Sequence, residues 1–434
     1  MIIVRDELVA GLDVGTTRVK LVVFDSRDWR PVYLEEKHSP WSEANTNRHD
    51  PVRLYKIVKS LYYKAREKGA SCLGLATYRG SLVVWKAKNG RPVTDIITWM
   101  DTESHTYYYE KMRPLARLLS KMPRIGSAIQ PESFLVRLAA LLDGKRDLRI
   151  GLENGELYAW NIDSYLVHRL TGRYVTDPSI AGLTGLYHPR DMKHLWFIAQ
   201  ALGLPRFNPP KLIGHDEPVD DYLTAVMGDQ QAAILGVDCE DSCIKISLGT
   251  GAFIDAPTGP KLYLGTGRGL VPLILYWSRK KRIYGLEAYI PGLGEAVRRL
   301  VEGLLGGDYS LLDEGRVSSP AKVLLYAWGV RYPRLPPGPL TVKFDKGDVS
   351  PRSLAGGIVE SVVEAVAYHF RLLVDVVGVP ERVVLTGGLT RSQEITRRIT
   401  RELTNYKKNM RIEKALGNPV ALGIAKLAYE NCRR

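Results

Sequence analysis

The sequence predicts a two-domain α/β protein built on mixed sheets, and three observations support this fold class. Short β-branched runs alternate along the chain with segments of helical periodicity. The 434 residues suffice for two to four domains of roughly 100–200 residues each. Two hairpins with similar tips, at Gly15 and at Gly249, indicate that one half of the chain duplicates the other. We therefore expect two domains, 1–236 and 237–434.

The first hairpin predicts a phosphate-binding loop. Residues 8–13 and 19–25 have strand character, and the turn between them carries Gly15, Thr16 and Thr17. Glycine and threonine at a hairpin tip let backbone N–H groups and hydroxyls approach phosphate oxygens without a bulky side chain intervening. An ordinary turn is the alternative interpretation of this segment taken alone.

The second hairpin repeats the first. Residues 243–248 lead into Gly249, Thr250 and Gly251, and residues 252–255 lead out. Two such tips in one chain favour phosphate binding over two unrelated turns.

The other elements follow from periodicity and from glycine and proline punctuation. Strands are expected at 73–77, 82–85, 92–99 and 383–385, and helices at 134–142, 165–170, 295–305, 354–377, 392–403 and 420–429. In the long helix at 354–377, one face carries Ile358, Val362, Ala365, Val366, His369 and Leu373. His168 and His369 lie on amphipathic helices and are expected to be structural.

Composition and charge limit the class of protein. Hydrophobic residues make up 45% of the chain and charged residues 25%, as in ordinary globular proteins. Lys plus Arg exceed Asp plus Glu by 61 − 47 = 14, which favours a polyanionic partner such as nucleic acid, an anionic membrane or a phosphorylated small molecule. The aromatic cluster 107–109 and the basic cluster 279–282 come without a nucleic-acid-binding motif and are interpreted as solvated surface.

Cysteine usage and the chain start indicate the compartment. No apolar run is long enough for a membrane helix, and acidic residues come too early in residues 1–7 for a signal peptide. The four cysteines include no C-x-x-C pair and no zinc spacing. We expect a cytoplasmic protein without a membrane partner, in which Cys239 and Cys243 are free buried thiols.

Asp229 stands at the start of a predicted helix. It precedes the helix-forming residues 230–235, so a helix cap alone would account for an aspartate here.

Five segments, in this order, resemble the FGGY carbohydrate kinases of the actin, Hsp70 and sugar-kinase group: 11–20, 170–172 with 176–177, 228–233, 247–251 and 386–392. One short match is weak, but an ordered set of five is specific. The resemblance implies two duplicated ribonuclease H-like, actin-like ATPase domains with a cleft between them.

The same resemblance implies ATP and Mg²⁺ as cofactors. Asp13 would position Mg²⁺ through water, and Lys20 would add positive charge near the transferred group. Gly387 and Gly388 would contact adenosine or phosphate, with Ser392 as a further candidate, whereas structural glycines at a strand exit are the alternative. Asp229 would be the general base that accepts the proton of the attacking hydroxyl.

Acceptor contacts are expected in the first half. Tyr78, Arg79 and Gly80 stand where the glycerol kinase branch has Gln-Arg-Glu, so the arginine is kept and the glutamate is replaced by Gly80. Glu132 stands where that branch has a substrate-contacting tyrosine, which suggests an acceptor of different shape, such as a larger polyol or sugar.

Three further residues complete the expected acceptor site. Trp99 and Asp101 match the family's Trp-x-Asp segment, from which the following arginine is missing, and Trp99 could equally be a core residue. Gln230 would bind the acceptor beside Asp229.

The sequence thus predicts a kinase that transfers the γ-phosphoryl group of ATP to a hydroxyl of a polyol or sugar. Two other classes stay open: an ATP-binding sensor or regulator without turnover on the same fold, and a nucleic-acid-binding protein, which the motifs do not favour. Oligomeric state is undetermined by the sequence, with a homodimer among the alternatives.

Overall fold

The structure, a computed structural model, describes residues 8–45, 47–112, 114, 118, 130–264, 269–314, 321–324, 341–344 and 350–434. The chain divides into two compact units. The first unit comprises Met1–Asp238, Leu273–Tyr284 and Asn418–Arg434, and the second comprises Cys239–Pro272 and Gly285–Gly417. The first break, after Asp238, lies two residues beyond the predicted boundary. The structure differs from the predicted halves in assigning two later segments to the first unit.

Strands and helices alternate through the described part of the chain. The strands are β1 (Leu8–Val14), β2 (Arg18–Asp25), β3 (Pro31–His38), β4 (Arg48–His49), β5 (Cys72–Thr77), β6 (Val83–Lys86), β7 (Ile96–Ile97), β8 (Leu157–Trp160), β9 (Val175–Thr176), β10 (Lys211–Leu212), β11 (Leu223–Gly228), β12 (Cys243–Leu248), β13 (Ala252–Gly259), β14 (Val271–Trp277), β15 (Arg282–Ile290), β16 (Ala321–Leu324), β17 (Thr341–Phe344), β18 (Arg382–Thr386) and β19 (Arg411–Lys414).

The helices are α1 (Pro51–Glu67), α2 (Glu103–Tyr107), α3 (Phe134–Leu142), α4 (Arg146–Glu153), α5 (Ile162–Thr171), α6 (Pro178–Ala181), α7 (Trp196–Ala201), α8 (Asp229–Gly236), α9 (Leu293–Leu304), α10 (Leu311–Glu314), α11 (Pro351–Val377), α12 (Gln393–Thr404) and α13 (Pro419–Cys432). A π-helical turn at Tyr108–Met112 and a 3₁₀ turn at Gly388–Arg391 complete the described helical structure.

A five-stranded mixed sheet organises the first unit, in the order β11-β5-β1-β2-β3. β1 pairs antiparallel with β2 and parallel with β5, and β5 pairs parallel with β11. Because β1, β5 and β11 run in the same direction, their carboxyl ends lie at one edge of the sheet. That edge carries Asp13, Tyr78 and Asp229, at or just beyond the strand ends.

The C-terminal helix α13 packs against this sheet at close range, which explains why it belongs to the first unit. A Cβ atom added at Gly11 of β1 would clash with the carbonyl oxygen of Ala421, and one at Gly74 of β5 with that of Ile424. On α8, a Cβ at Gly236 would clash in the same way with Pro419. Glycine is therefore required where backbone meets backbone.

The second unit is built on β12, β13, β18 and β19, within a six-stranded sheet of order β14-β15-β13-β12-β18-β19. β12 pairs antiparallel with β13 and parallel with β18. Helix α11 buries the predicted apolar face, including Ile358, Val362 and His369. The buried Lys245 and Asp255 form a cross-strand ion pair at 2.8 Å.

Cys239 and Cys243 form a disulfide, so the expectation of two free thiols was wrong. Asp238 and Ser242 both have a φ of 49°, a left-handed conformation that tightens this turn. The turn brings the two Cα atoms to 5.3 Å, a usual separation for a disulfide.

The predicted strand 92–99 forms only in part. A strand forms only at Ile96–Ile97, and Pro92 makes an isolated bridge to Trp85. The carbonyl groups of Thr98 and Trp99 accept hydrogen bonds from the Arg137 guanidinium instead of a neighbouring strand. Among the described residues, no helix is both long and apolar enough to cross a bilayer. Residues 1–7, on which the expectation about the chain start rested, lie outside the described residues.

Candidate active site

The first hairpin closes in a three-residue loop of Gly15, Thr16 and Thr17. The Gly15 N–H donates to the carbonyl of Arg18 at 3.0 Å, and Ser39 Oγ donates to the Gly15 carbonyl at 2.8 Å. An added Cβ at Gly15 would lie 2.9 Å from the Arg18 carbonyl oxygen, so glycine is needed for this tight turn. The loop therefore has a defined conformation.

Trp99 and His49 support this loop. Trp99 Nε1 donates to Thr16 Oγ1 at 2.8 Å. The buried His49 ring contacts the Thr16 backbone, and its Nδ1 lies 2.9 Å from the Tyr78 hydroxyl. Burial lowers the pKa of His49 to about 4, although the Thr16 hydrogen bond acts in the opposite direction, so the ring is neutral near pH 7. Tyr78, predicted to bind the acceptor, is thus engaged through its hydroxyl with His49.

Asp13 is a buried carboxylate at the end of β1. It lies opposite Lys20 in the β1–β2 register, and Asn418 Nδ2 donates to Asp13 Oδ2 at 3.2 Å. Burial raises the pKa of Asp13 to about 6, and the charge of Asp229 adds to the rise, whereas Lys20 and Asn418 lower it. Asp13 and Asp229, both predicted site residues, therefore interact electrostatically.

Asp229 is the first residue of α8, and Gly228 occupies the N-cap position. The Gln230 N–H donates to Asp229 Oδ1 at 2.8 Å, and the Gln230 side-chain amide donates to Oδ2 at 3.3 Å. Arg79 Nε lies 3.7 Å from Asp229 Oδ1. The structure thus brings together three predicted site residues, Arg79, Asp229 and Gln230.

A buried network fixes the backbone just before Asp229. The Gly228 N–H donates to Ser179 Oγ at 2.9 Å, and Ser179 Oγ in turn hydrogen-bonds Asp177 Oδ1. His215 Nδ1 accepts the Trp277 N–H at 2.8 Å, so its Nε2 carries the proton and donates to Asp177 Oδ1 at 3.1 Å. This chain of hydrogen bonds positions the start of α8.

The segment expected to contact the acceptor is organised by Arg137. This buried guanidinium donates to the carbonyl groups of Thr98 at 2.6 Å and Trp99 at 3.1 Å. Arg137 Nε also donates to the Glu132 carbonyl at 3.1 Å. Glu132 and Trp99, which are 33 positions apart in the chain, are thereby joined through one side chain.

Two further features shape this segment. Gly80 has a φ of 67°, where a side chain is strained, and an added Cβ would lie 3.3 Å from Trp99 Cβ. Glu132 Oε1 lies 3.4 Å from His105 Nε2, and both side chains are less than one fifth exposed. The replacement of the family's glutamate by Gly80 therefore agrees with the local backbone conformation.

Asp101 is held in a structural contact. Its Oδ2 accepts from Arg48 Nε at 2.8 Å, and its Oδ1 accepts the Glu103 N–H at 3.0 Å. Arg48 also pairs with Glu103 at 2.6 Å. Arg48, which lies on β4, thus places a guanidinium beside Asp101. The segment's own sequence lacks the arginine expected after this aspartate.

The second unit carries the repeated loop. The Gly249 N–H donates to the Gly251 carbonyl at 3.0 Å, and the Thr250 carbonyl accepts the Glu295 N–H from the first turn of α9 at 3.1 Å. Gly387 has a φ of 99°, and an added Cβ there would lie 2.5 Å from the Leu248 carbonyl oxygen. The predicted Gly387 turn and the Gly249–Gly251 loop are therefore neighbours.

Gly388 and Ser392 differ in their surroundings. A Cβ added at Gly388 would meet open space. Ser392 caps α12, because its Oγ accepts the Ile395 N–H at 3.2 Å, and it donates to Asp313 Oδ1 at 2.6 Å. Ser392 thus has a structural role in the second unit.

Several residues that contribute to the site were not predicted as site residues. They are His49, Arg137, Ser179, His215 and Asn418. Arg137 had a recognisable signal, since it is the one charged residue in the apolar helix Phe134–Leu142. The part of the chain that the structure describes holds no group of three or more His, Cys, Asp or Glu arranged to bind a metal.

The two α/β units have the fold of the actin-like proteins. The family model described as the N-terminal domain of the FGGY family of carbohydrate kinases matches residues 8–238. The chain belongs to this family.

Two curated relatives are similar to the chain in sequence. An uncharacterized sugar kinase of Archaeoglobus fulgidus is 29% identical over 71% of this chain and 68% of its own length. The glycerol kinase of Halobacterium salinarum is 30% identical over 68% of this chain. The match spans 64% of that glycerol kinase, slightly under two thirds of its length.

Solved structures agree in fold. The glycerol kinase of Plasmodium falciparum with ADP aligns with a TM-score of 0.80 at 18% identity, over 97% of this chain and 88% of its own. A ligand-bound xylulose kinase of Lactobacillus acidophilus aligns with a TM-score of 0.79 at 18% identity, over 98% and 89% of the two chains.

Proposed function

We propose that the protein is an ATP-dependent kinase that phosphorylates a hydroxyl of a polyol or sugar, with Asp229 as general base. The single observation that carries this proposal is the grouping of Asp13, Arg79 and Asp229 at one edge of the sheet of the first unit. The two carboxylates and the guanidinium are all largely buried. A carboxylate can accept the proton of a hydroxyl, and the guanidinium supplies a positive charge beside it. The relatives named above are glycerol and sugar kinases.

Asp229 would accept the proton of the acceptor hydroxyl as its oxygen attacks the γ-phosphorus. Its carboxylate is oriented by hydrogen bonds from Gln230 and by Arg79. The Ser179 network holds the preceding backbone, so that alignment is set before the acceptor arrives. Alignment is the main requirement in phosphoryl transfer, where the transition state is loose.

The loops at Gly15–Thr17 and Gly249–Gly251 would bind ATP phosphates. Thr16 Oγ1 already accepts the Trp99 N–H, which leaves its hydroxyl proton able to donate to a phosphate oxygen. Gly387 and Gly388 would contact the nucleotide beside the second loop.

Mg²⁺ fits the carboxylates present. Asp13 is buried and interacts with the charge of Asp229, and burial raises its pKa to about 6 even though Lys20 and Asn418 act in the opposite direction. Asp13, with Asp229, would hold Mg²⁺ through water, since this ion keeps several waters and binds few protein carboxylates. When bound, the ion would neutralise charge on the transferred phosphoryl group.

The acceptor would lie beside Asp229, Arg79 and Gln230. Glu132 and Trp99 are joined through Arg137 in the neighbouring segment and would set acceptor shape. A carboxylate at Glu132 with none at Gly80 suits a polyol or sugar larger than glycerol.

A coupled ADP-release assay over polyols, ketoses and aldoses tests the proposal. Wild type should release ADP with at least one acceptor, and Asp229→Asn should lose activity by at least about a hundredfold while still binding ATP. ATP binding with no turnover on any acceptor would support a sensor or regulator instead. Equal activity in Asp229→Asn would overturn the assignment of the base.

A further inference from the structure

Two cysteines outside the proposed active site lie on packed elements, near the same turn of α13. Cys72 is the first residue of β5 and is fully buried, whereas Cys432 is the last residue of α13 and is exposed. Cys72 Sγ lies 3.7 Å from the carbonyl oxygen of Ala428, one helical turn before Cys432. The neighbouring Cys432 side chain, after burial, contributes to raising the pKa of the Cys72 thiol.

The last turn of α13 is anchored in this position. Asn431 Nδ2 donates to the carbonyl groups of His215 and Thr224, each at 2.8 Å. Thr224 Oγ1 donates to the Ala428 carbonyl at 2.9 Å. The fixed packing of α13 on β5 therefore holds Cys432 one helical turn beyond the carbonyl group that Cys72 Sγ contacts.

We propose that Cys72 and Cys432 form a second disulfide when the protein meets a low-molecular-weight disulfide, and that this bond staples α13 to β5. The exposed Cys432 thiolate attacks oxidised glutathione, which forms a mixed disulfide and releases one glutathione thiolate. The Cys72 sulfur then loses its proton and attacks Cys432 Sγ, and the second glutathione leaves as a thiolate that takes up a proton. Two protein thiols are oxidised and one glutathione disulfide is reduced to two thiols.

The staple should form slowly and also resist reduction. Burial raises the pKa of the Cys72 thiol to about 12, so its thiolate is scarce at neutral pH and a poor leaving group. An external thiol can reach the Cys432 sulfur only, and attack there must expel the Cys72 thiolate. Unfolding exposes both sulfurs and removes this protection.

The test is a peptide map of the full chain. The reduced protein is incubated with excess oxidised glutathione, unfolded, blocked with N-ethylmaleimide and digested with trypsin. Peptides 69–79 and 427–433 should appear joined, with a mass two hydrogens below the sum of the free peptides. The linked pair should be absent from Cys432→Ser.

Stability and reduction rate are the second measurements. Oxidation should raise the unfolding temperature of wild type by a few degrees more than that of Cys432→Ser, which retains the Cys239–Cys243 pair. Dithiothreitol should cleave the new bond at least about tenfold faster in guanidinium than in buffer. The proposal would be overturned if Cys72 were labelled by maleimide after oxidation, whether Cys432 then carries glutathione or is also labelled. It would also be overturned if either cysteine were linked to Cys239 or Cys243.

Discussion

Trp99 Nε1 donates a hydrogen bond to Thr16 Oγ1 at 2.8 Å and so joins two segments that the sequence assigned to different ligands. Trp99 was expected beside the acceptor, and Thr16 was expected on a phosphate. The backbone of Trp99 is also held, because its carbonyl accepts a hydrogen bond from Arg137 at 3.1 Å. The predicted acceptor segment and the predicted first phosphate loop are therefore connected by a side-chain hydrogen bond.

Trp99→Phe should weaken ATP use more than it weakens folding. The variant removes the indole N–H but keeps an aromatic ring, so the Thr16 hydroxyl loses its fixed orientation. One lost hydrogen bond of about 1 kcal/mol corresponds to a rise of roughly fivefold in KM for ATP. Steady-state kinetics with varied ATP would measure this.

Trp85→Phe is the matched control, because Trp85 Nε1 donates to His168 Nδ1 at 3.0 Å in a buried structural contact. That variant should lose stability and keep its KM for ATP. Equal KM values in the two variants would rule out a role for the Trp99 bond in orienting Thr16.

Ser179→Ala should lower kcat while leaving KM for the acceptor nearly unchanged. The substitution leaves the Gly228 N–H without its 2.9 Å partner, one residue before Asp229. We expect a fall in kcat of about tenfold or more, because misplacement of the base affects the reacting geometry. Loss of a buried hydrogen bond should also cost about 1–3 kcal/mol of stability.

Ser164→Ala provides the comparison for Ser179→Ala. Ser164 is buried and donates to the Val175 carbonyl at 2.7 Å, so its loss should cost similar stability. A similar fall in kcat in both variants would mean that general destabilisation, and not the position of Gly228, is responsible.

Asp13→Asn should stabilise the protein at neutral pH while abolishing activity. The folded state raises the pKa of Asp13 from its ordinary value of 3.8 to about 6, so between these values the native protein binds more protons than the unfolded chain. The free energy of unfolding therefore falls as pH rises from about 4 to about 6, by up to about 3 kcal/mol. Asp13→Asn has no carboxyl group to ionise at this position, so it does not lose this stability. Its free energy of unfolding should exceed that of wild type by the full amount near pH 8, and the difference should vanish near pH 4.

Chemical denaturation at those two pH values measures the effect. Asp25→Asn, on the same hairpin, should instead destabilise the protein to a similar extent at both pH values, because hydrogen bonds from Arg27 hold the pKa of Asp25 at about 2, below this range. A stability gain for Asp13→Asn that is independent of pH would contradict the assigned cause.

Glu132→Gln should reduce kcat/KM for the preferred acceptor by roughly fivefold to a hundredfold, since a lost hydroxyl contact costs about 1–3 kcal/mol. Its carboxylate lies 3.4 Å from His105 Nε2 and is positioned through the Arg137 contact to its carbonyl. Asp143→Asn, which removes an exposed carboxylate paired with Lys111 at 2.5 Å, should have no such effect. Unchanged efficiency with every acceptor in Glu132→Gln would remove this residue from the acceptor site.

Gly74→Ala should destabilise the first unit severely, by about 3 kcal/mol or more, because the added methyl group would meet the backbone of Ile424 on α13. Gly303→Ala is the control: this helical glycine has open space around it, and alanine should add about 0.5–1 kcal/mol. Urea unfolding of both variants separates the cases. A mild effect at Gly74 would show that α13 can shift away from the sheet.

The hairpins and the long helix were predictable because each depends on local pattern. Residues 8–13 and 19–25 are short apolar and β-branched runs on either side of a Gly-Thr turn, and the apolar stripe of 354–377 shows directly which face is buried. Helix α11 begins three residues earlier than predicted, at Pro351, because proline is well accepted in a first helical turn.

The unpredicted features depend on partners far apart in the chain. Asn418 donates to Asp13 across more than 400 positions, and Ser179 contacts Gly228 across 49. No periodicity records such contacts. The Cys239–Cys243 disulfide was not predicted for a different reason. It depends on left-handed conformations at Asp238 and Ser242, which the sequence does not indicate because neither residue is glycine.

The close packing of α13 on β1, β5 and α8 has a consequence for biosynthesis. A ribosome produces the sheet strands long before it reaches Pro419–Cys432, so the nascent first unit must wait with Gly11, Gly74 and Gly236 uncovered. Throughout the translation of the second unit, this glycine-lined groove is a place where another apolar helix could bind by mistake.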